Sequence, residues 1–66
     1  MQPLPTVSEI VQLCSCTEPI DRFAYLHVDA HVVSVEWWTP THRHEAKVAL
    51  DSGGLQLLHH WSHPKK

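Results

Sequence analysis

The chain has 66 residues, of which 42% are hydrophobic and 18% are charged, and its formal net charge is −2. The hydrophobic fraction excludes a disordered chain, and the acidic balance argues against a general nucleic-acid-binding protein. A chain this short forms one small domain, and such domains often depend on a metal, a disulfide or oligomerisation. We expect one domain over residues 1–66, with frayed ends at 1–5 and 63–66.

Two cysteines, Cys14 and Cys16, are too few and too close together for a disulfide framework. The opening residues lack the basic segment and long apolar core of a signal peptide. No run approaches the roughly 18 apolar residues of a membrane helix. We therefore expect a cytoplasmic protein that makes no membrane contact.

An amphipathic helix is predicted over residues 7–16. Thr6 and Glu9 have the spacing of a capping box, in which the hydroxyl and the carboxylate each bind the other residue's backbone amide. The apolar stripe at helical spacing consists of Val7, Ile10, Val11 and Cys14. Pro19 is incompatible with a continuing helix, so the helix has to end before it.

Four strands are predicted after the helix, over residues 23–28, 31–38, 45–50 and 55–61. The first is rich in β-forming residues, the second carries a strong strand signal, and the first and third alternate. The breaks fall at Asp29-Ala30, at residues 39–44 and at residues 51–54. A competing interpretation makes residues 41–50 a helix. We favour the strand, and the predicted fold is α+β, with the N-terminal helix packed on a four-stranded antiparallel meander (α-β-β-β-β).

Register supports the meander, because apolar residues pair with apolar residues on one face and opposite charges pair on the other. Between the last two strands the predicted pairs are Leu50–Leu55, Val48–Leu57, Ala46–His59 and His44–Trp61. Between the second and third they are Trp37–Ala46, Val35–Val48, Val33–Leu50 and Glu36–Lys47. The face under the helix then holds Ala24, Leu26, Val33, Val35, Trp37, Ala46, Val48, Leu50, Leu55, Leu57 and Trp61. The opposite, outer face holds Phe23, Tyr25, Val32, Trp38 and Leu58 among charged residues.

The seven histidines raise the question of a metal. In the predicted register His44 and His59 lie near one end of the inner face, with His42 in the adjoining loop. Three imidazoles there could bind zinc, which takes nitrogen and sulfur ligands. The spacing is unspecific, since the chain has no C-x-x-C or H-E-x-x-H motif. For His27 and His31 the simpler interpretation is a solvated or satisfied strand histidine, and no cofactor other than zinc is predicted.

One short helix cannot cover both sheet faces, and uncovered apolar patches mark interaction sites. The sequence therefore predicts a small non-enzymatic interaction or regulatory module that binds a partner protein or a second copy of itself. The predicted contact residues are Phe23, Tyr25, Trp38, Leu58 and His60. Two alternatives stay open: a zinc-binding protein using His42, His44 and His59, and a single-stranded nucleic-acid-binding module. No nucleophile elbow, phosphate loop or carboxylate pair indicates an enzyme.

Overall fold

The computed structural model describes residues 4–51 and 53–65, which form one helix followed by four strands. The elements are α1 (Val7–Leu13), β1 (Arg22–Val28), β2 (Val32–Trp38), β3 (His42–Asp51) and β4 (Gly54–Pro64). All neighbouring strands are antiparallel, in the order β1-β2-β3-β4. The predicted α-β-β-β-β order is confirmed, although the helix is small and sheet dominates. The alternative helix over residues 41–50 is wrong, because that segment is β3.

The start of α1 follows the predicted capping box. The Glu9 amide donates to Thr6 Oγ1 at 3.2 Å, and the Thr6 amide donates to Glu9 Oε1 at 2.9 Å. Two of the amides at the start of the helix thereby gain partners.

The end of α1 differs from the prediction, since the helix stops at Leu13 and not at residue 16. Ser15 adopts a left-handed backbone conformation with φ 55°. Its amide donates to the Gln12 carbonyl and the Cys16 amide to the Val11 carbonyl, which is the pattern of a Schellman motif. Glycine usually occupies this left-handed position, so a serine there is a weak local signal for the end of a helix.

Replacing Thr6 with alanine is expected to remove the cap and to destabilise the protein by about 1 kcal/mol. Urea unfolding followed by circular dichroism measures this loss. Ser8→Ala, at an exposed position inside the same helix, is the control and should change the stability little. Equal effects of the two substitutions would contradict a role for the cap.

The core lies between α1 and one face of the sheet, called here the inner face. Ile10 is the buried residue of α1, and the sheet contributes five side chains that are at most 2% exposed: Val33, Val35, Trp37, Ala46 and Val48. Burial of these apolar groups is the main stabilising contribution to the fold. Among residues 4–51 and 53–65, no helix is long and apolar enough to span a membrane.

The turn between β2 and β3 is tighter than predicted. The Thr39 amide donates to the His42 carbonyl at 2.9 Å, so Pro40 and Thr41 alone form the loop between paired residues. The four predicted β2–β3 pairs are therefore wrong by two residues: Trp37 lies opposite His44, Val35 opposite Ala46, Val33 opposite Val48, and Glu36 opposite Glu45. A two-residue shift preserves the faces, because side chains alternate with a period of two.

The register of β4 agrees with the prediction next to its turn and departs from it further along. The pairs Leu50–Leu55 and Val48–Leu57 are confirmed. An irregularity follows, at which Leu58 is inserted without a partner of its own. Beyond this bulge the predicted pairs Ala46–His59 and His44–Trp61 are wrong, because Ala46 lies opposite His60 and Glu45 opposite Trp61.

A second bulge lies in β1, where Leu26 is inserted between Tyr25 and His27. Before the bulge, Phe23 lies opposite Trp37 and Tyr25 opposite Val35, so both aromatic residues belong to the inner face. Their predicted place on the outer face is wrong, as is the inner position of Ala24, which lies opposite Glu36.

Residues at both ends of the chain, where fraying was predicted, make hydrogen bonds to the rest of the fold. β4 continues to Pro64, which pairs with His42, and the Lys65 amide donates to the Thr41 carbonyl. At the other end the Pro5 carbonyl accepts a hydrogen bond from the Tyr25 hydroxyl. Residues 1–3 and 66 of the predicted frayed ends, and Ser52 of the predicted turn, lie outside the described residues.

Candidate functional site

A pair of histidines joins β3 and β4 on the inner face. His44 Nδ1 lies 3.0 Å from His60 Nε2, which is a hydrogen-bonding distance. The ring centroids are 5.2 Å apart and the rings are inclined by 16°. The two nitrogens therefore lie between the ring centres, since the centroid distance equals the nitrogen–nitrogen distance plus about one ring radius on each side. The imidazoles meet edge to edge. The Trp37 indole lies nearly parallel to both rings, at centroid distances of 5.0 and 5.7 Å.

The protonation state of this pair follows from its surroundings. His44 is 7% exposed, and its buried Nε2 has no hydrogen-bonding partner. We assign the Nδ1–H tautomer to His44, because the atom left unpartnered is then a lone pair and not a buried N–H. Burial lowers the pKa of His44, and the neighbouring His60 and His42 lower it further. Burial also lowers the pKa of His60, so both rings are neutral at pH 7.

Glu18, from the segment between α1 and β1, organises the polar end of the inner face. Its carboxylate accepts hydrogen bonds from the Thr39 hydroxyl at 2.9 Å and from the Thr41 hydroxyl at 2.6 Å. These bonds lower the pKa of Glu18, the bond from Thr41 having the larger effect. His42 Nδ1 lies 3.8 Å from the same carboxylate. The cluster ties the segment after the helix to the turn between β2 and β3.

The three predicted metal ligands do not come together. His42 and His44 lie on the inner face, with ring centroids 5.7 Å apart. His59 lies opposite Lys47 on the outer face, where its ring stacks on Trp61 at 5.1 Å, because the Leu58 bulge reverses the direction of the side chains. Within residues 4–51 and 53–65 no three His, Cys, Asp or Glu side chains form a group that could hold one ion.

Both cysteines pack against the core, although a helix over residues 7–16 would have directed only Cys14 towards it. Because α1 ends before them, both Cys14 and Cys16 pack against the core, and both are free thiols. Burial, with a smaller contribution from Cys16, raises the pKa of Cys14 to about 11. At neutral pH Cys14 is therefore a protonated thiol, which is a poor nucleophile and a poor metal ligand.

The predicted contact residues divide between different parts of the surface. Phe23 and Tyr25 pack edge to face on the inner side, at a centroid distance of 5.1 Å. His60 is also on the inner side, in the pair with His44. Trp38 does lie on the outer face, where the Arg22 guanidinium covers its ring at 4.8 Å. Leu58 is 41% exposed at the bulge of β4.

The outer face is more polar at its centre than the sequence predicted. Arg43 Nη1 donates to carboxylates of both Glu36 and Glu45, and this pairing raises the pKa of Arg43, mainly through Glu45. Two carboxylates thus more than offset the positive charge of one guanidinium. This arrangement weakens the case for a nucleic-acid platform, which needs positive charge available to phosphates.

An exposed apolar surface lies on edge strand β1. Tyr25, Leu26 and Val28 are 42%, 53% and 51% exposed, and we call these three residues the β1 rim. Leu4, 44% exposed, precedes the proline whose carbonyl binds the Tyr25 hydroxyl. The sequence prediction missed both exposed residues: it placed Leu26 under the helix and did not name Val28 as a contact residue. The sequence carried no signal for this exposure, because the seven-residue length of α1 and the bulge at Leu26 are features of the folded structure.

Comparison of the chain with family models, with curated proteins and with solved structures finds no match. The fold and the surface geometry therefore carry the functional argument.

Proposed function

We propose that this chain is a small, non-enzymatic protein-interaction module that binds a partner protein through the β1 rim. The observation that carries the proposal is the exposure of three large apolar residues within four positions of one edge strand: Tyr25, Leu26 and Val28. Exposed apolar groups gathered in one place favour association, because contact with a partner removes them from water.

The position of the rim in the sheet supports this proposal. β1 is an edge strand, so one side of its backbone has no neighbour within the described chain. Unpaired edge amides and carbonyls can receive a strand of another protein, and adjacent apolar side chains add contact area. The β1 rim offers both features together, whereas the outer face is centred on the Arg43 ion pairs.

The histidine pair is better explained as part of the core than as a reactive centre. His44 is buried against Trp37, and its hydrogen bond to His60 holds β4 on β3. Buried polar groups paired in this way specify the packing of a small core. The binding surface and the histidine pair therefore have separate roles in this proposal.

A photo-crosslinking amino acid placed at Leu26 tests the proposal, with the same group at Leu58 as the matched control. Both leucines lie at the bulge of an edge strand, and their exposures are similar, at 53% and 41%. We expect irradiation in cells to give a discrete protein adduct, a homodimer or a heterodimer, from position 26 and little from position 58.

Adding Val28→Asp to the crosslinking chain should abolish the adduct, because a carboxylate opposes burial of the rim. Circular dichroism of the same variant shows whether it stays folded. Equal adduct yields from positions 26 and 58, or an adduct that survives Val28→Asp, would refute binding at the β1 rim.

A further inference from the structure

The bulge in β1 restricts which strand can pair with this edge. An inserted residue interrupts the ladder, so an ordinary strand added to β1 loses its register at Leu26. Bulges are one of the devices that protect edge strands from indiscriminate pairing. A partner strand with its own inserted residue at the matching place would keep the register on both sides.

We propose that the occupant of the β1 rim is a second copy of this chain, whose β1 pairs antiparallel with the first about a two-fold axis between Tyr25 and Leu26. This inference rests on the proposed function and names its partner. In such an isologous contact the same surface serves both copies. The two bulges then face each other, since the Tyr25–Leu26 step of one copy meets the Leu26–Tyr25 step of the other.

This axis matches the faces of the two strands. Phe23 of one copy falls opposite Val28 of the other, and both belong to the inner face, where they lie opposite Trp37 and Val33 of their own chain. Ala24 falls opposite His27, and both belong to the outer face. Apolar residues therefore meet on the side of the core, and the sheets of the two copies continue into each other.

The same axis also places opposite charges across from each other at both ends of the contact. Arg22 begins β1 and Asp29 follows its last residue, so the guanidinium of each copy falls opposite the carboxylate of the other. A hydrogen bond from the His31 amide lowers the pKa of Asp29, which is ionised at neutral pH. Opposite charges directly across a strand pair stabilise it, and like charges destabilise it.

Sedimentation equilibrium of the full chain at neutral pH tests this inference through two charge reversals. The natural chain is expected to form a reversible dimer. Arg22→Glu and Asp29→Arg, each alone, place like charges at both ends of the contact and should raise the dimer dissociation constant on the order of tenfold. Mixing the two variants restores an opposite-charge pair at each end, so a heterodimer should form with near-natural affinity.

This recovery on mixing requires both variants to be folded, and it singles out the antiparallel β1 contact. A natural chain that stays monomeric at all concentrations would overturn the self-pairing. So would a dimer that neither variant weakens, or two weakened variants that do not recover when mixed. If the chain is monomeric but position 26 still crosslinks to another protein, and Val28→Asp abolishes that adduct, the proposed function stands and this inference alone fails.

Discussion

Replacing Trp37 with alanine is expected to leave the protein largely unfolded at room temperature. Trp37 is fully buried and is the largest side chain of the core, where it contacts the rings of His44 and His60. Truncating a buried tryptophan costs about 3–5 kcal/mol, and a core of this size rarely supplies more than that in total. The measurement is the far-ultraviolet circular dichroism spectrum, together with urea unfolding of the natural chain.

Trp38→Ala is the matched control, because Trp38 is the next residue of β2 and points to the opposite face. Its ring is half-buried, and the contact it loses is the stacked guanidinium of Arg22, which is worth about 0.5–1 kcal/mol. We expect this variant to fold and to unfold at a somewhat lower urea concentration. If Trp38→Ala were as damaging as Trp37→Ala, the assignment of inner and outer faces would be in error.

Lowering the pH from about 7.5 to about 5.5 is expected to destabilise the fold, because the neutral histidine pair must then take up protons. In the folded protein the pKa values of His44 and His60 lie below 6.5, mainly through burial. Between those values and about 6.5 the unfolded chain binds more protons than the folded protein, so stability decreases as the pH is lowered. The stabilisation that the neutral pair provides is complete above about pH 6.5, and it is lost as the pH drops through the folded-state pKa values.

The structural reason is the hydrogen bond between the two rings. A protonated imidazole has two donors and no acceptor, so doubly protonated His44 and His60 cannot form it and also repel each other. Glu18 acts in a lower range: its pKa is depressed by Thr41 and Thr39, so its contribution persists above about pH 4.5 and declines only below that. The loss between pH 7.5 and 5.5 therefore belongs to the histidines.

Thermal unfolding at both pH values measures the effect, since each kcal/mol lost lowers the Tm of a small domain by roughly 4–8 °C. His44→Phe keeps a flat ring beside Trp37 without titrating, so its Tm should depend much less on pH. His27→Gln, at a side chain that is 66% exposed, should keep the natural pH dependence. A pH dependence unchanged by His44→Phe would show that other groups are responsible.

Several elements could be predicted because their signals are local. The hydroxyl of Thr6 and the carboxylate of Glu9 cap the first turn of α1 whatever the rest of the chain does. Alternation of apolar and polar residues identified β2 and β3, and the apolar pairs Leu50–Leu55 and Val48–Leu57 lie next to their own turn. In these places a few neighbouring residues are enough to determine the local structure.

The candidate site could be predicted only in part. The sequence identified Tyr25 as a contact residue and His44 as a member of a histidine cluster, but it chose His59 where the structure has His60. It also placed Leu26 on the face under the helix, whereas the structure inserts Leu26 at a bulge and leaves it about half exposed. Each of these errors follows from one inserted residue, because a single insertion exchanges the two faces of a strand beyond it.

The sequence by itself determined the order of the elements, the start of the helix and the apolar pattern that requires a two-layer core. Tertiary structure decided where α1 ends, where β1 and β4 bulge, and therefore which side chains share a face. A capping box or a turn is closed by atoms a few residues apart. A bulge is selected by how two strands and the layer above them fit together, so no short segment of the sequence carries enough information to place it.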